Sequence, residues 1–286
     1  MHNSALKDLI ENLTSDVVAS ISNLSGGTMA SVTRVELGSG RLLVIKQSHL
    51  ANSDLKIEAR MLRYFARHSP IHCPSVLHAD NACLVMDYMA NDNQMSQRVQ
   101  RDLAEQLAAQ HRITATTFGL EFDTLIGGLP QPNPQTESWV TFFGEHRLRH
   151  IAQAAHQGGQ LSASTTARID RLIDKLDGLI PDKPTAALLH GDLWGGNILC
   201  QDGKLAGLID PALYYGDREI ELAFGTLFGD LGPAFFGRYN EILPIEPGFF
   251  EERRDLYNLY PLLVHVRLFG APYIGAVENI LMRFGC

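Results

Sequence analysis

The octet His190-Gly191-Asp192-Leu193-Trp194-Gly195-Gly196-Asn197 constrains the fold more than any other stretch of this chain. It follows the apolar run Ala186-Ala187-Leu188-Leu189, and its carboxylate and amide stand five positions apart (197 − 192). A second apolar run, Leu205 to Ile209, delivers Asp210-Pro211, thirteen positions after Asn197 (210 − 197). Phosphoryl transfer needs this order of groups. One carboxylate accepts a hydroxyl proton, and an amide oxygen and a second carboxylate hold Mg²⁺ against the phosphates of ATP. Asp, Asn and Gly are also ordinary turn residues, so the octet alone fits a plain turn before a strand equally well. The remainder of the sequence decides between them.

Residues 4–22 carry Leu6, Leu9, Ile10, Leu13, Val17 and Val18 at helical spacing, which predicts a helix over that range. Gly26 and Gly27 then precede Val32 to Leu37, a Gly38-Ser39-Gly40 turn, and Arg41 to Lys46, which together read as a β-hairpin. Glycines before a hairpin let backbone N–H groups approach a phosphate closely, although the pair also suits a simple turn. Lys46 ends the second strand. A helix is predicted over residues 53–68, with Leu55, Ala59, Leu62, Phe65 and Ala66 as its apolar stripe. Glu58 lies three after Leu55 and four before Leu62, on the apolar side of that helix. A carboxylate there is costly unless paired, and Lys46 is the natural partner. A strand lysine paired with a helix glutamate holds ATP phosphates in the protein-kinase pattern. The alternative is a glutamate snorkelling from a boundary position.

Cys83 to Met86 reads as a buried strand that empties into Asp87-Tyr88-Met89 and the polar stretch Ala90 to Gln94. That is what a hinge between two lobes needs, and backbone groups from Asp87 to Met89 can bond an adenine edge. An ordinary strand-to-helix loop has the same composition. The expected division is residues 1–88 as an ATP-binding lobe and 89–286 as a catalytic and substrate-binding lobe. The second lobe opens with a helix over 95–112, on the stripe Val99, Leu103, Leu107 and Ala108. His111 follows that stripe and reads as a satisfied core histidine. Gly and Pro are too dense in residues 118–133 for a regular helix or strand. Helices are expected from Trp139, over 163–179, and over most of 222–284 with breaks at 229–233 and 244–247. The fold class is α+β.

Composition removes several function classes. The net charge of −8, with no run of Lys or Arg, argues against a nucleic-acid partner. The four cysteines, Cys73, Cys83, Cys200 and Cys286, form no CxxC pair, which excludes an obvious zinc or redox motif and fits a reduced, cytoplasmic compartment. Residues 1–18 lack a basic segment followed by an apolar core, so no signal peptide is expected. The apolar stretch 259–277 contains Pro261, His265, Arg267 and Pro272 and reads as a buried helix pair, with no membrane span expected.

Several segments carry a more specific likeness. Ile126-Gly127-Gly128-Leu129-Pro130-Gln131-Pro132-Asn133, Trp139 to Phe143 with Glu145 to Leu148, the octet itself, Ile209-Asp210-Pro211-Ala212 with Tyr214-Tyr215-Gly216, and Leu268-Phe269-Gly270 resemble the fructosamine kinase (ketosamine-3-kinase) family, relatives of aminoglycoside phosphotransferases. The likeness covers nearly the whole chain. It implies a protein-kinase-like two-lobe fold with a small antiparallel sheet lobe and a mainly helical lobe. It also implies ATP with Mg²⁺, and phosphorylation of the C3 hydroxyl of ketoamines, free or on protein lysines. The product is an unstable phosphate that releases the amine. Carried over by position, the resemblance makes Asp192 the general base, Asn197 and Asp210 the Mg²⁺ ligands, Lys46 the phosphate lysine and Glu58 its partner. Trp194 matches the residue that packs on the ketoamine sugar, and the 127–133 segment tilts the substrate towards ketoamines. The chain departs from the family pattern at Gly26-Gly27-Thr28-Met29-Ala30, and at Asp217, where some members carry histidine. Asp217 is expected either to contact the substrate amine or to make a structural hydrogen bond. Two other readings stay open on sequence: a kinase of another small hydroxyl substrate such as an aminoglycoside or choline, and a non-catalytic pseudokinase scaffold. Which ketoamine is used and the oligomeric state are not read from the sequence.

Overall fold

The computed structural model describes residues 3–24, 31–48 and 55–286. The expected glycine turn at Gly26 and Gly27 lies outside them. A five-stranded antiparallel sheet, ordered β1-β2-β3-β5-β4, is built from β1 (Val18–Leu24), β2 (Ser31–Leu37), β3 (Leu42–Gln47), β4 (Val76–Ala79) and β5 (Cys83–Asp87). Helix α1 (Asn3–Thr14) precedes the sheet, and α2 (Leu55–His68) lies between β3 and β4. Strand alternation assigns the two faces. Val35, Leu37, Leu43, Ile45, Cys83 and Val85 meet Leu6 and Ile10 of α1 in a small apolar core. Val44, Leu84 and Met86 join α2 in the larger core, so Lys46, two residues after Val44, belongs to the α2 face.

The first helix is shorter than its periodicity predicts. It ends at Thr14, Ser15 turns to φ +55°, and Val18–Leu24 pairs with β2. Val17, Val18 and Ile21 are β-branched and strand-favouring, and pairing with β2 satisfies their backbone in a way a lone helical turn does not. The Glu11 carboxylate accepts the Val18 N–H at 2.9 Å and fixes the corner.

The helical lobe contains α3 (Gln97–Gln110), β6 (Thr114–Ala115), β7 (Thr124–Ile126), β8 (Leu129–Gln131), α4 (Trp139–Phe143), α5 (His150–Gln157) and α6 (Ala163–Ile173). After these come β9 (Ala186–Leu189), β10 (Ile198–Gln201), β11 (Lys204–Leu208), β12 (Tyr214–Asp217), α7 (Arg218–Leu227), α8 (Pro233–Ile242), α9 (Arg254–Phe269) and α10 (Ile274–Arg283). A π-helical turn, Gly144–Arg149, joins α4 to α5. The Gly- and Pro-dense segment contains a short hairpin, β7–β8, which the composition did not predict. Its turn is Gly127-Gly128, both at positive φ, which suits a two-residue hairpin connection. His111 is a satisfied core residue: its ring nitrogens bond the Glu221 carboxylate at 2.9 Å and the Tyr239 hydroxyl at 2.7 Å. The polar stretch 88–96 carries the chain from β5 to α3, while the larger apolar core continues from α2 and β5 into α3, α4 and α9. Among the described residues no helix is long and apolar enough to cross a membrane.

Candidate active site

Strand β9 is buried along its whole length between β12 and β6, and it delivers His190 to the end of the sheet. Gly191 then turns at φ +83°, and a Cβ there would lie 2.0 Å from the Ala212 carbonyl oxygen. Only glycine fits both restraints. Gly191→Ala is expected to cost more than about 1 kcal/mol from backbone strain alone. A thermal melt and a turnover assay check this, and a variant with unaltered melting and turnover would contradict the geometry.

The octet is laced to the Asp210 loop. The Ala212 N–H donates to His190 O at 2.7 Å, and the His190 Nε2–H donates to Ile209 O at 3.0 Å. Behind the loop, the buried Glu221 carboxylate of α7 accepts the N–H groups of His190 (3.2 Å) and Gly191 (2.6 Å). Burial pushes the Glu221 pKa up, but the His111 hydrogen bond and charge, with His190 and the Gly191 N–H, outweigh it and hold the carboxylate below its ordinary value.

Asn197 Nδ2 donates to both the carbonyl and Oδ2 of Asp192, each at 2.8 Å. The Asn197 Oδ1 has no partner among the described residues. Burial pushes the Asp192 carboxyl up to about 7; the Asn197 bond opposes this, and Asp210 and Glu221 add to it. The hairpin β10–β11 turns at Asp202-Gly203, and Ile209 N–H donates to Asn197 O at 3.1 Å. The thirteen-residue spacing is therefore one hairpin out and back, and it returns Asp210 to the side of Asn197. Asp210 itself sits at φ +54°, an uncommon conformation for an aspartate.

Lys46 reaches this loop from the other lobe. Its ammonium donates to Glu58 Oε1 at 2.7 Å and to Asp210 Oδ1. Burial would lower the Lys46 pKa, but Asp210 and Glu58 outweigh it and hold the ammonium charged. The structure thus brings Lys46, Glu58, Asp192, Asn197 and Asp210 together. An Asp carboxylate and an amide oxygen are the hard donors Mg²⁺ prefers, and Mg²⁺ takes few protein ligands because water and phosphate oxygens complete its shell. The donor set fits.

At the expected hinge, the Asp87 N–H donates to Ser75 O (3.0 Å) and the Tyr88 N–H to Leu42 O (3.1 Å). The Asp87 carboxylate pairs with Arg41 at 2.7 Å. The Met89 N–H has no partner among the described residues. Trp194 is 40% exposed, so its ring is not enclosed in the core. Its indole lies over Gly196 and meets Phe228 edge to face, with centroids 6.3 Å apart.

One expectation needs correction. Asp217 is buried as the N-cap of α7; it accepts the Glu219 N–H at 3.0 Å and the Tyr257 hydroxyl at 2.7 Å, so it does not face a substrate amine. The 127–133 segment is also internal in its polar groups. Gln131 donates to Ala212 O (2.9 Å), Asn133 donates to Leu213 O (3.4 Å), and Arg147 donates to Asn133 Oδ1 (2.6 Å) while stacking 4.0 Å over the Tyr214 ring. These side chains hold the backbone just after Asp210. Sequence reasoning missed this clamp, and it missed Glu221, although a glutamate between Ile220 and Leu222 in an apolar helix was the available signal.

A two-lobed α+β fold with a sheet-lobe lysine–glutamate pair opposite an Asp-Asn-Asp loop set belongs to the protein-kinase-like class. A model of the family described as fructosamine kinase matches residues 1–284. A protein named as a probable ketoamine kinase from Synechocystis sp. is 41% identical over 184 residues, 63% of this chain and 60% of that protein. The crystal structure assigned as a fructosamine-3-kinase from Thermobifida fusca YX-ER1 has a TM-score of 0.87 at 32% identity, covering 97% of each chain. An aminoglycoside phosphotransferase structure has a TM-score of 0.68 at 18% identity, over 97% of this chain and 98% of that one, and shares the fold. The chain belongs to the fructosamine kinase family.

Proposed function

We propose that this protein is an ATP-dependent kinase that transfers the γ-phosphoryl group to the C3 hydroxyl of ketoamines, free or on protein lysines, and so promotes their deglycation in the cytoplasm. The observation that carries the reading is the meeting of Lys46, paired to Glu58, with Asp210 beside the Asp192–Asn197 pair. Lys46 positions the phosphates. Asn197 Oδ1 and Asp210 would hold Mg²⁺, which would offset charge on the phosphate oxygens. Asp192 accepts or orients the hydroxyl proton of the acceptor, with its carboxylate held in place by Asn197. Asp87 and Met89 backbone groups receive the adenine edge. The exposed face of Trp194 packs on the sugar. Positioning and electrostatics suffice, without a covalent intermediate.

The test is ADP release against glucose-, ribose- and erythrose-derived lysine ketoamines, with an aminoglycoside and choline as controls. Turnover on ketoamines with little on the controls is the expected result. Turnover confined to a control would overturn the substrate assignment.

A further inference from the structure

Asp230 stands against the Gly195 end of the octet, and no role derived above uses it. Its Oδ2 is buried and has no hydrogen-bond partner, and no described cation pairs with it. Buried polar groups are nearly always satisfied, and a carboxylate in this state wants a cationic partner. The carboxyl lies directly against the octet: a Cβ at Gly195 would sit 2.3 Å from Asp230 Oδ1, and one at Gly196 would sit 2.2 Å from the Trp194 ring. Two consecutive glycines thus form the floor under a carboxylate on one side and an indole on the other.

The loop that carries Asp230 is anchored. The Leu231 N–H donates to Gly225 O at 3.0 Å, the Gly232 N–H donates to Gln100 Oε1 at 3.1 Å, and the Leu231 side chain is buried. Aromatic rings continue away from the octet. Phe228, 43% exposed, joins Trp194 to His265 at 5.1 Å, and His265 meets Tyr273 at 4.8 Å. A carboxylate and an exposed indole set over two adjacent glycines offer the chemistry that recognises an alkylammonium group, through charge pairing and cation–π attraction together.

We infer that Asp230, with Trp194 and Phe228, forms a subsite for an ammonium centre carried by the amine part of the substrate. The inference rests on the ketoamine kinase reading and adds to it the charge of the group that the acceptor brings. Two nitrogens have that chemistry: the ketoamine nitrogen itself, separated from the acceptor carbon by C2 and C1 only, and a second ammonium further along the amine.

The experiment measures kcat/KM of the full chain and of Asp230→Asn on three fructosamines (glucose-derived ketoamines). One is made from cadaverine (two basic nitrogens), one from pentylamine (one basic nitrogen) and one from aniline (a weakly basic nitrogen). Losing a partly buried charge partner is expected to lower the cadaverine-to-aniline ratio by about 10-fold or more. A parallel fall for the pentylamine adduct assigns the subsite to the ketoamine nitrogen, and an unchanged pentylamine ratio assigns it to the second ammonium. Asp230→Ser, with a thermal melt of each variant, guards against a folding defect in either. Turnover with ratios unchanged in both variants overturns the subsite alone. Failure of the unmodified protein to turn over any of the three adducts overturns the kinase reading and the subsite together.

Discussion

Asp192→Ala is expected to lower turnover by roughly 10²–10⁴-fold while ATP with Mg²⁺ still raises the melting temperature. Asp192 is the one carboxylate of the set placed on the octet, fixed by Asn197 and separate from the Lys46 pair. The groups assigned to phosphate and cation, namely Lys46, Glu58, Asn197 and Asp210, stay in place in the variant. Nucleotide binding and phosphoryl transfer therefore part company. A coupled ADP-release assay reads the loss and a thermal shift reads the binding. Turnover near that of the unmodified protein would sink the assignment of Asp192 as the base, and loss of the nucleotide shift would place the residue in nucleotide binding.

Glu221→Ala should have the largest effect on folding of any single change near the site. Glu221 is fully buried and serves His190 N–H, Gly191 N–H and the His111 ring at once. Removing one partner of such a network leaves the others buried and unpaired, which costs on the order of 3–5 kcal/mol. For a chain of this size that lowers the melting temperature by roughly 10 °C. The pH dependence has a definite sign. The folded-state pKa of Glu221 is below its ordinary value of 4.5, so its stabilisation is present above that value and fades as pH falls through the lower, folded value. The gap in melting temperature between the two proteins should therefore be widest near neutral pH and close on acidification. A gap that is constant with pH would show that the carboxylate charge is not what holds the loop.

The parts legible in the sequence share one property: their geometry is set by short-range spacing. Asp192 and Asn197 share one octet, a single hairpin separates Asn197 from Asp210, and Glu58 betrayed its pairing by standing on an apolar stripe. The hairpin and helix pattern of the sheet lobe is equally local. What was missed or misread depends on long-range packing. Nothing near residue 131 in the chain indicates that Gln131 will meet the Ala212 carbonyl 81 positions away. Asp217 precedes Arg218-Glu219, an ordinary helix-start signature, yet its proximity to the Tyr214-Tyr215-Gly216 segment suggested a ligand contact. The end of the first helix failed for the same reason. Val17 and Val18 fit helical spacing, and only the presence of β2 alongside makes a strand the better choice.

The ion pair that spans the lobes also governs how the site fills. One ammonium faces the carboxylates of Glu58 and Asp210, and Asp192 stands close enough for Asp210 to raise its pKa. The site at rest therefore has more negative charge than Lys46 balances. On the proposed reading, a bare nucleoside triphosphate would be repelled by that excess, whereas Mg²⁺ held by Asn197 and Asp210 would supply charge that offsets it. Cation and nucleotide would then be thermodynamically linked, each tightening the binding of the other by the same factor.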